Sequence, residues 1–298
     1  MKKKFTKGMV IILIFTLVAI SFTGCTQEKE IRVAAQNVNE TIILAHMAKI
    51  LIEEKLGLKA TLNTDFTGSS VLHQAMMGDE LDIYPTWTGT QLTGILRYEG
   101  PNLSPEDTYK KVKEGFEEKF DMTWSEPFGF NNTYVFTVRK ETADKYDLKK
   151  ASDLAPYAKN WILAGDENFD TRQDAYPGWS KAYGITFKEV LPMQYGLVYR
   201  AIGNKEVDAA VAYATDSRIK KFDLAMLEDD KQFFPDYSGA YVLSQKIVKN
   251  QPKVLDTLNM LGGEIDTEQM GALNLRYDNG EDPEVIAREF LKEKGWIE

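Results

Sequence analysis

The chain has 298 residues, with 45 acidic against 36 basic side chains, a net charge of −9, one cysteine and two histidines. That length is too great for one small domain and suits two of ordinary size. The acidic balance argues against a nucleic-acid partner and against a polybasic membrane-binding face, and a lone cysteine excludes an intramolecular disulfide.

Lys2, Lys3, Lys4 and Lys7 open the chain, an apolar run follows from Met9 to Ile20, and small residues lead to Cys25. This reads as a secretory signal, too short for a comfortable membrane span. Thr23, Gly24 and Cys25 resemble the lipobox of bacterial lipoproteins, with Phe22 departing from the aliphatic residue usual there. The resemblance implies a signal peptide over 1–24, cleavage before Cys25, a diacylglycerol on its thiol and a short polar tether over 25–30. The alternative is an ordinary secretory signal followed by a stray buried thiol. A lipid-anchored chain is held at the membrane and folds in water. Loss of the signal also removes four lysines and no acid, so the mature surface is more acidic still.

Ile31 to Ala35 reads as a first buried strand. Glu40 to Leu56 has helical apolar spacing and is stopped by Gly57. "KATLNTDF" is a second strand, Gly68–Ser70 a turn, Val71 to Met77 a short helix and "ELDIYP" a third strand. The alternation predicts an α/β sheet with mainly parallel strands. Lys110 to Phe120 is an amphipathic helix. The texture changes around Trp124, where a Gly- and Asn-rich approach leads into the β-prone "NNTYVFTVRK". Strand and helix then alternate again through "KNWILAGD", "GLVYRAIG" and "VDAAVAY". "KQFFPDYSGAYVLS" and helical stretches complete the chain.

Two short strings share a plan. "ELDIYPTWTGT" and "EVDAAVAYATD" each carry an acid, an apolar residue, Asp, an apolar strand, an aromatic and then Thr. Each delivers an aromatic to the C-terminal end of a strand, the edge where open α/β sheets bind ligands. If the halves are similar domains facing one another, Trp87 and Tyr213 meet across a cleft. Coincidence in short strings is the competing explanation.

Catalytic signatures are missing. Neither His46 nor His73 has a partner at HExxH or CxxC spacing. "GWSKA" lacks the closing glycine of a nucleophile elbow, and no GxGxxG or P-loop occurs. Carboxylate pairs stay open, because sequence shows no distances. A lipid-anchored hydrolase remains the enzyme alternative, without a visible base. No cofactor or metal site is expected.

What stands out is aromatics beside small or polar neighbours: Trp87 in "TWTGT", Tyr134 in "NNTYVFT", Tyr213 in "AYATD", and Tyr237 in "PDYSGAY" with Tyr241 close by. Any one alone suits a half-buried structural role. Together, a box of electron-rich rings with no obvious acid is a receptor for a quaternary ammonium, each ring contributing about 0.5–2 kcal/mol when water is excluded. Three or four rings reach micromolar affinity, about −8 kcal/mol. Aromatic faces also bind sugars.

On "DIYPTWTGT", "GFNNTYVFTV", "AYATDSRIKKFDL", "LEDDKQFFPDY" and "ENFDTRQDAYPG", the chain resembles the substrate-binding lipoproteins of bacterial ABC importers for glycine betaine, carnitine and choline. The resemblance runs over nearly the whole mature chain. It implies a two-lobed periplasmic-binding-protein fold of type II with two crossover strands and the ligand in the interdomain cleft. Lobe I would hold 31–123 plus 229–298, and lobe II 124–228. It implies a cage of Trp87, Tyr134, Tyr213 and Tyr237, with Trp87 where the family commonly has tyrosine. Gln36 matches a position that contacts the ligand's polar tail, and Thr90 a specificity position whose hydroxyl donates to a carboxylate. Tyr84, Asn132 and Tyr241 are further candidates for the lining. Arg172 and Arg218 are read as members of structural ion pairs. Implied partners are an ABC permease and its ATPase, and the expected location is the outer face of the cell membrane, as a monomer anchored through Cys25. Another trimethylammonium compound, such as ergothioneine, is the alternative ligand.

Overall fold

The computed structural model describes residues 30–166, 169 and 175–298. The signal over 1–24, Cys25 with nearly all of its tether, and Arg172 with most of "ENFDTRQDAYPG" lie outside the described residues.

Among the described residues, ten strands build two sheets. They are β1 (Ile31–Gln36), β2 (Ala60–Phe66), β3 (Ile83–Trp87), β4 (Met122–Trp124), β5 (Tyr134–Arg139), β6 (Ile162–Asp166), β7 (Glu189–Met193), β8 (Ala209–Tyr213), β9 (Leu224–Leu227) and β10 (Gly239–Ser244). The first sheet has the order β2-β1-β3-β10-β4 and the second β7-β6-β8-β5-β9. In the first, β1 runs parallel to β2 and β3, and β10 lies antiparallel between β3 and β4. In the second, β6 runs parallel to β7 and β8, and β5 lies antiparallel between β8 and β9. One plan is therefore used twice, and the chain forms two α/β lobes.

The two strings noted above begin the matched strands β3 and β8, and their shared Asp has a structural task. The Asp82 carboxylate accepts the Arg32 backbone N–H at 2.9 Å, while the Asp82 N–H donates to the Arg32 carbonyl at 2.8 Å. Asp208 does the same with Ile162, at 2.9 and 3.0 Å. Each Asp thus ties the start of its strand, the central one of its sheet, to the parallel strand beside it. The approach is also matched: left-handed residues, Asp79 (φ 59°) and Lys205 (φ 65°), follow the helices Ser69–Met77 and Tyr195–Gly203. Next along the chain, the Glu80 and Glu206 N–H groups cap those helices on Ala75 and Ala201, both at 2.9 Å.

Helices cover both faces of each sheet, as a mainly parallel sheet requires. In the first lobe the helix Asn39–Leu56 packs with the helix Pro283–Glu293 on one face, burying Ile43, Met47, Leu51, Ile286 and Leu291. Phe116, Trp124 and Tyr84 fill the other face. In the second lobe, Phe136, Phe169 and Trp179 form one aromatic core, and Val198, Tyr199 and Ile202 the opposite one. The two connecting segments run side by side through a bridge between Asn131 and Ser238, with the Asn132 N–H on the Tyr237 carbonyl at 3.2 Å. No helix among the described residues is long and apolar enough to cross a membrane.

Candidate functional site

A cavity of about 620 Å³ opens between the lobes at the ends of β3 and β8. Trp87, Thr90, Tyr134, Tyr213 and Tyr237 all line it, and so does Asn132. β5 and β8 are antiparallel in a register that sets Tyr134 opposite Tyr213. Their rings stack, with centroids 4.9 Å apart and planes inclined at 29°. The Tyr213 hydroxyl donates to the Asp166 carboxylate at 3.1 Å and lies 3.3 Å from the Tyr134 hydroxyl. Burial, with the neighbouring phenol and carboxylate, holds the Tyr213 hydroxyl protonated well above the usual phenol range.

The string "TWTGT" divides its work residue by residue. The Trp87 indole N–H donates to Glu40 Oε1 at 2.6 Å. The Thr88 hydroxyl donates to the buried Asp236 carboxylate at 2.7 Å, and that carboxylate also accepts the Ser238 hydroxyl at 2.8 Å. Gly89 lies under Tyr237: a Cβ there would fall 3.0 Å from two ring carbons and would overlap the Asp236 carbonyl oxygen. Only glycine lets the Asp236–Tyr237 turn sit this close, with the Tyr237 N–H held by Asn131 Oδ1 at 2.9 Å. Thr90 then faces the cavity.

Three candidates are placed elsewhere. Gln36 is buried at the end of β1 but does not line the cavity. Its carbonyl accepts the Val38 N–H at 2.7 Å and the Thr41 hydroxyl at 2.9 Å, so the chain turns sharply and presents Val38, Asn39 and Glu40 to the cleft instead. Tyr84 points into the first lobe's core, because β3 alternates and its face is opposite to that of Trp87. Tyr241 is also core, its hydroxyl donating to the Leu44 carbonyl at 2.6 Å. Arg218 is paired as expected, its guanidinium on both Asp216 oxygens at 2.8 and 2.6 Å and 4.5 Å over the Tyr199 ring, and it lines the cavity as well. His46 and His73 do not line the cavity, and burial lowers the pKa of both.

The expectation of a box without an acid is corrected by Glu40, which is 2% exposed and lines the cavity. Burial raises its pKa against hydrogen bonds from Thr215, Trp87, Asn274 and Asn132. The helix Thr267–Asp278 supplies a second surprise. It carries Asn274, Leu275 and Asp278 over the cleft. Asn274 donates to the Thr215 carbonyl at 3.0 Å, and Asp278 accepts from Ser217 of the second lobe and from Asn39 of the first. These contacts link the two lobes across the cleft. Among the described residues no group of three or more His, Cys, Asp or Glu is placed to hold a metal ion.

Residues 29–293 match the family model for the substrate-binding domain of ABC-type glycine betaine transport systems. The carnitine transport binding protein OpuCC of Listeria monocytogenes is 39% identical over 307 residues, covering 100% of this chain and 99% of that one. An ergothioneine transport permease and binding protein, EgtU of Helicobacter pylori, is 31% identical over 271 residues, 90% of this chain and 48% of the relative. The crystal structure of a glycine betaine/carnitine/choline ABC transporter superposes with a TM-score of 0.87 at 39% identity, covering 90% of this chain and 100% of that one.

Proposed function

The chain belongs to the family of substrate-binding domains of ABC-type glycine betaine transport systems, and from that premise we propose that it captures quaternary ammonium compatible solutes for an importer. Glycine betaine, carnitine and choline are the ligands. The observation that carries this reading is the convergence of Trp87 and Tyr237 from one lobe with Tyr134 and Tyr213 from the other on a single cavity. A trimethylammonium group donates no conventional hydrogen bond and is attracted by ring faces, so rings from both sides suit it better than charged clamps. Thr90, Arg218 and Lys221 border the same cavity and supply donors for a ligand carboxylate.

No reaction is involved. The lobes close around the ligand because it contacts both, which shifts the population toward the closed form. The closed form delivers the ligand to a permease driven by an ATPase. The protein works as a monomer on the outer face of the membrane, held by a lipid on Cys25.

Isothermal titration of the lipid-free protein with glycine betaine, carnitine, choline and ergothioneine tests the reading. Micromolar binding of at least one of the first three is expected. Binding of ergothioneine alone would give way to the second reading, which the similarity to the Helicobacter pylori protein favours.

A further inference from the structure

Glu40 occupies the first turn of the helix Asn39–Leu56, on the wall of the cavity. Oε1 accepts the Trp87 indole N–H at 2.6 Å and the Asn132 amide at 3.4 Å, and Oε2 accepts the Asn274 amide at 3.4 Å. The Thr215 hydroxyl is a fourth donor. Trp87 and Asn274 belong to the first lobe, Thr215 to the second, and Asn132 to a crossover. All four donors are neutral, and no lysine or arginine among the described residues pairs with this carboxylate. The side-chain amide oxygens of Asn132 and Asn274, buried in the same wall, have no partner among the described residues. This side of the cavity therefore combines a buried carboxylate with unanswered acceptors.

A neutral acceptor would hold an indole N–H equally well without the cost of burying a charge. That cost is offset once a cation enters beside it, because attraction between opposite charges strengthens where water is excluded. We propose that Glu40 is a specificity-determining residue, the fixed counter-charge that makes the cavity select a cationic ligand over an uncharged ligand of the same shape. The inference rests on the quaternary ammonium reading above and adds to it: the rings supply shape and faces, and Glu40 supplies the sign. Because its donors come from both lobes, its shell is complete only when the cleft is shut. Counter-charge and closure are thereby linked.

The test uses choline and glycine betaine, each beside its tert-butyl analogue, in which carbon replaces the charged nitrogen at the same size. Affinities are measured on the wild-type protein and on Glu40→Gln, which keeps an acceptor for Trp87 and removes the charge. The wild-type protein should prefer the ammonium ligand of each pair that it binds, and in Glu40→Gln that preference should shrink at least tenfold. If the variant loses ammonium ligand and analogue equally, Glu40 is only a bracket for Trp87 and the counter-charge is overturned. If the wild-type protein binds no quaternary ammonium at all, the functional reading fails first.

Should Glu40→Gln not fold, the wild-type preference for choline over its analogue is followed from about pH 9 down to about pH 4. Neither ligand titrates there. Burial raises the Glu40 pKa, and the ionised form binds the cation, so the preference is greatest above that pKa and falls as pH drops through it. The other charged groups on the cavity are Asp216, Arg218 and Lys221 from the second lobe and Asp278 from the helix Thr267–Asp278. His46, further along the helix of Glu40, is acted on by Asp282 and Glu284. A preference independent of pH would overturn the proposal.

Discussion

Asn274 donates to the Thr215 carbonyl at 3.0 Å, and the two residues belong to opposite lobes. The same amide reaches Glu40 at 3.4 Å, so one side chain spans the cleft in the cavity wall. In Asn274→Ala the closed form loses about 1 kcal/mol of hydrogen bonding. Ligand dissociation should speed up roughly fivefold while association changes little, since most effects of contact loss appear in the off-rate. Stopped-flow kinetics with the tightest of the ligands decides it, and an unchanged off-rate would remove Asn274 from the closure mechanism.

Tyr213 has two separable roles, a ring against Tyr134 and a hydroxyl on Asp166. Tyr213→Ala removes a face of the cage worth about 1–2 kcal/mol and should weaken ligand binding about tenfold. A loss of under threefold would sink its place in the cage. Tyr213→Phe keeps the ring and should bind within about threefold of wild type, yet it takes a donor from Asp166 and should lower stability by about 1–3 kcal/mol. Titration calorimetry and denaturant unfolding read the two effects apart.

Gly89→Ala should be far more disruptive than a single methyl suggests. Its Cβ would overlap the Asp236 carbonyl and press on the Tyr237 ring, so the turn carrying that ring must move. A stability loss of about 1–3 kcal/mol is expected, together with weaker binding through displacement of Tyr237. A variant with wild-type melting temperature and affinity would show that the turn yields without consequence.

Thr90→Asp tests the carboxylate end of the ligand. A second acid facing the cavity repels a ligand carboxylate and can accept from a hydroxyl. Affinity for glycine betaine and carnitine should fall about tenfold or more, and affinity for choline should hold or rise. Parallel losses for all three would mean that Thr90 acts by shape alone.

The repeated plan was legible because its signal is local. The strings carrying Trp87 and Tyr213 each pack a turn, a strand-tying Asp and a cleft residue into eleven positions, and the structure sets them at matching strand ends. Tyr84 and Tyr241 misled because an aromatic inside a strand looks the same whichever face it takes, and the face is fixed by sheet order. Glu40 was illegible for a different reason. An acid in the first turn of a helix ordinarily complements the helix dipole. What sets this one apart is an indole 47 positions away and an amide 234 positions away. Such a shell exists only after both lobes have folded and met.

The bond between Trp87 and Glu40 also gives the molecule an optical handle. Of five tryptophans, Trp124 and Trp179 are sealed in the two cores, their indole nitrogens without acceptors among the described residues. Trp87 alone lines the cavity, its N–H on a carboxylate. A cation arriving beside that ring and that carboxylate changes the electric field across one indole and leaves the two core indoles as they were. The emission spectrum of the untagged protein should therefore shift with occupancy, and a Trp87→Phe variant should bind in the dark.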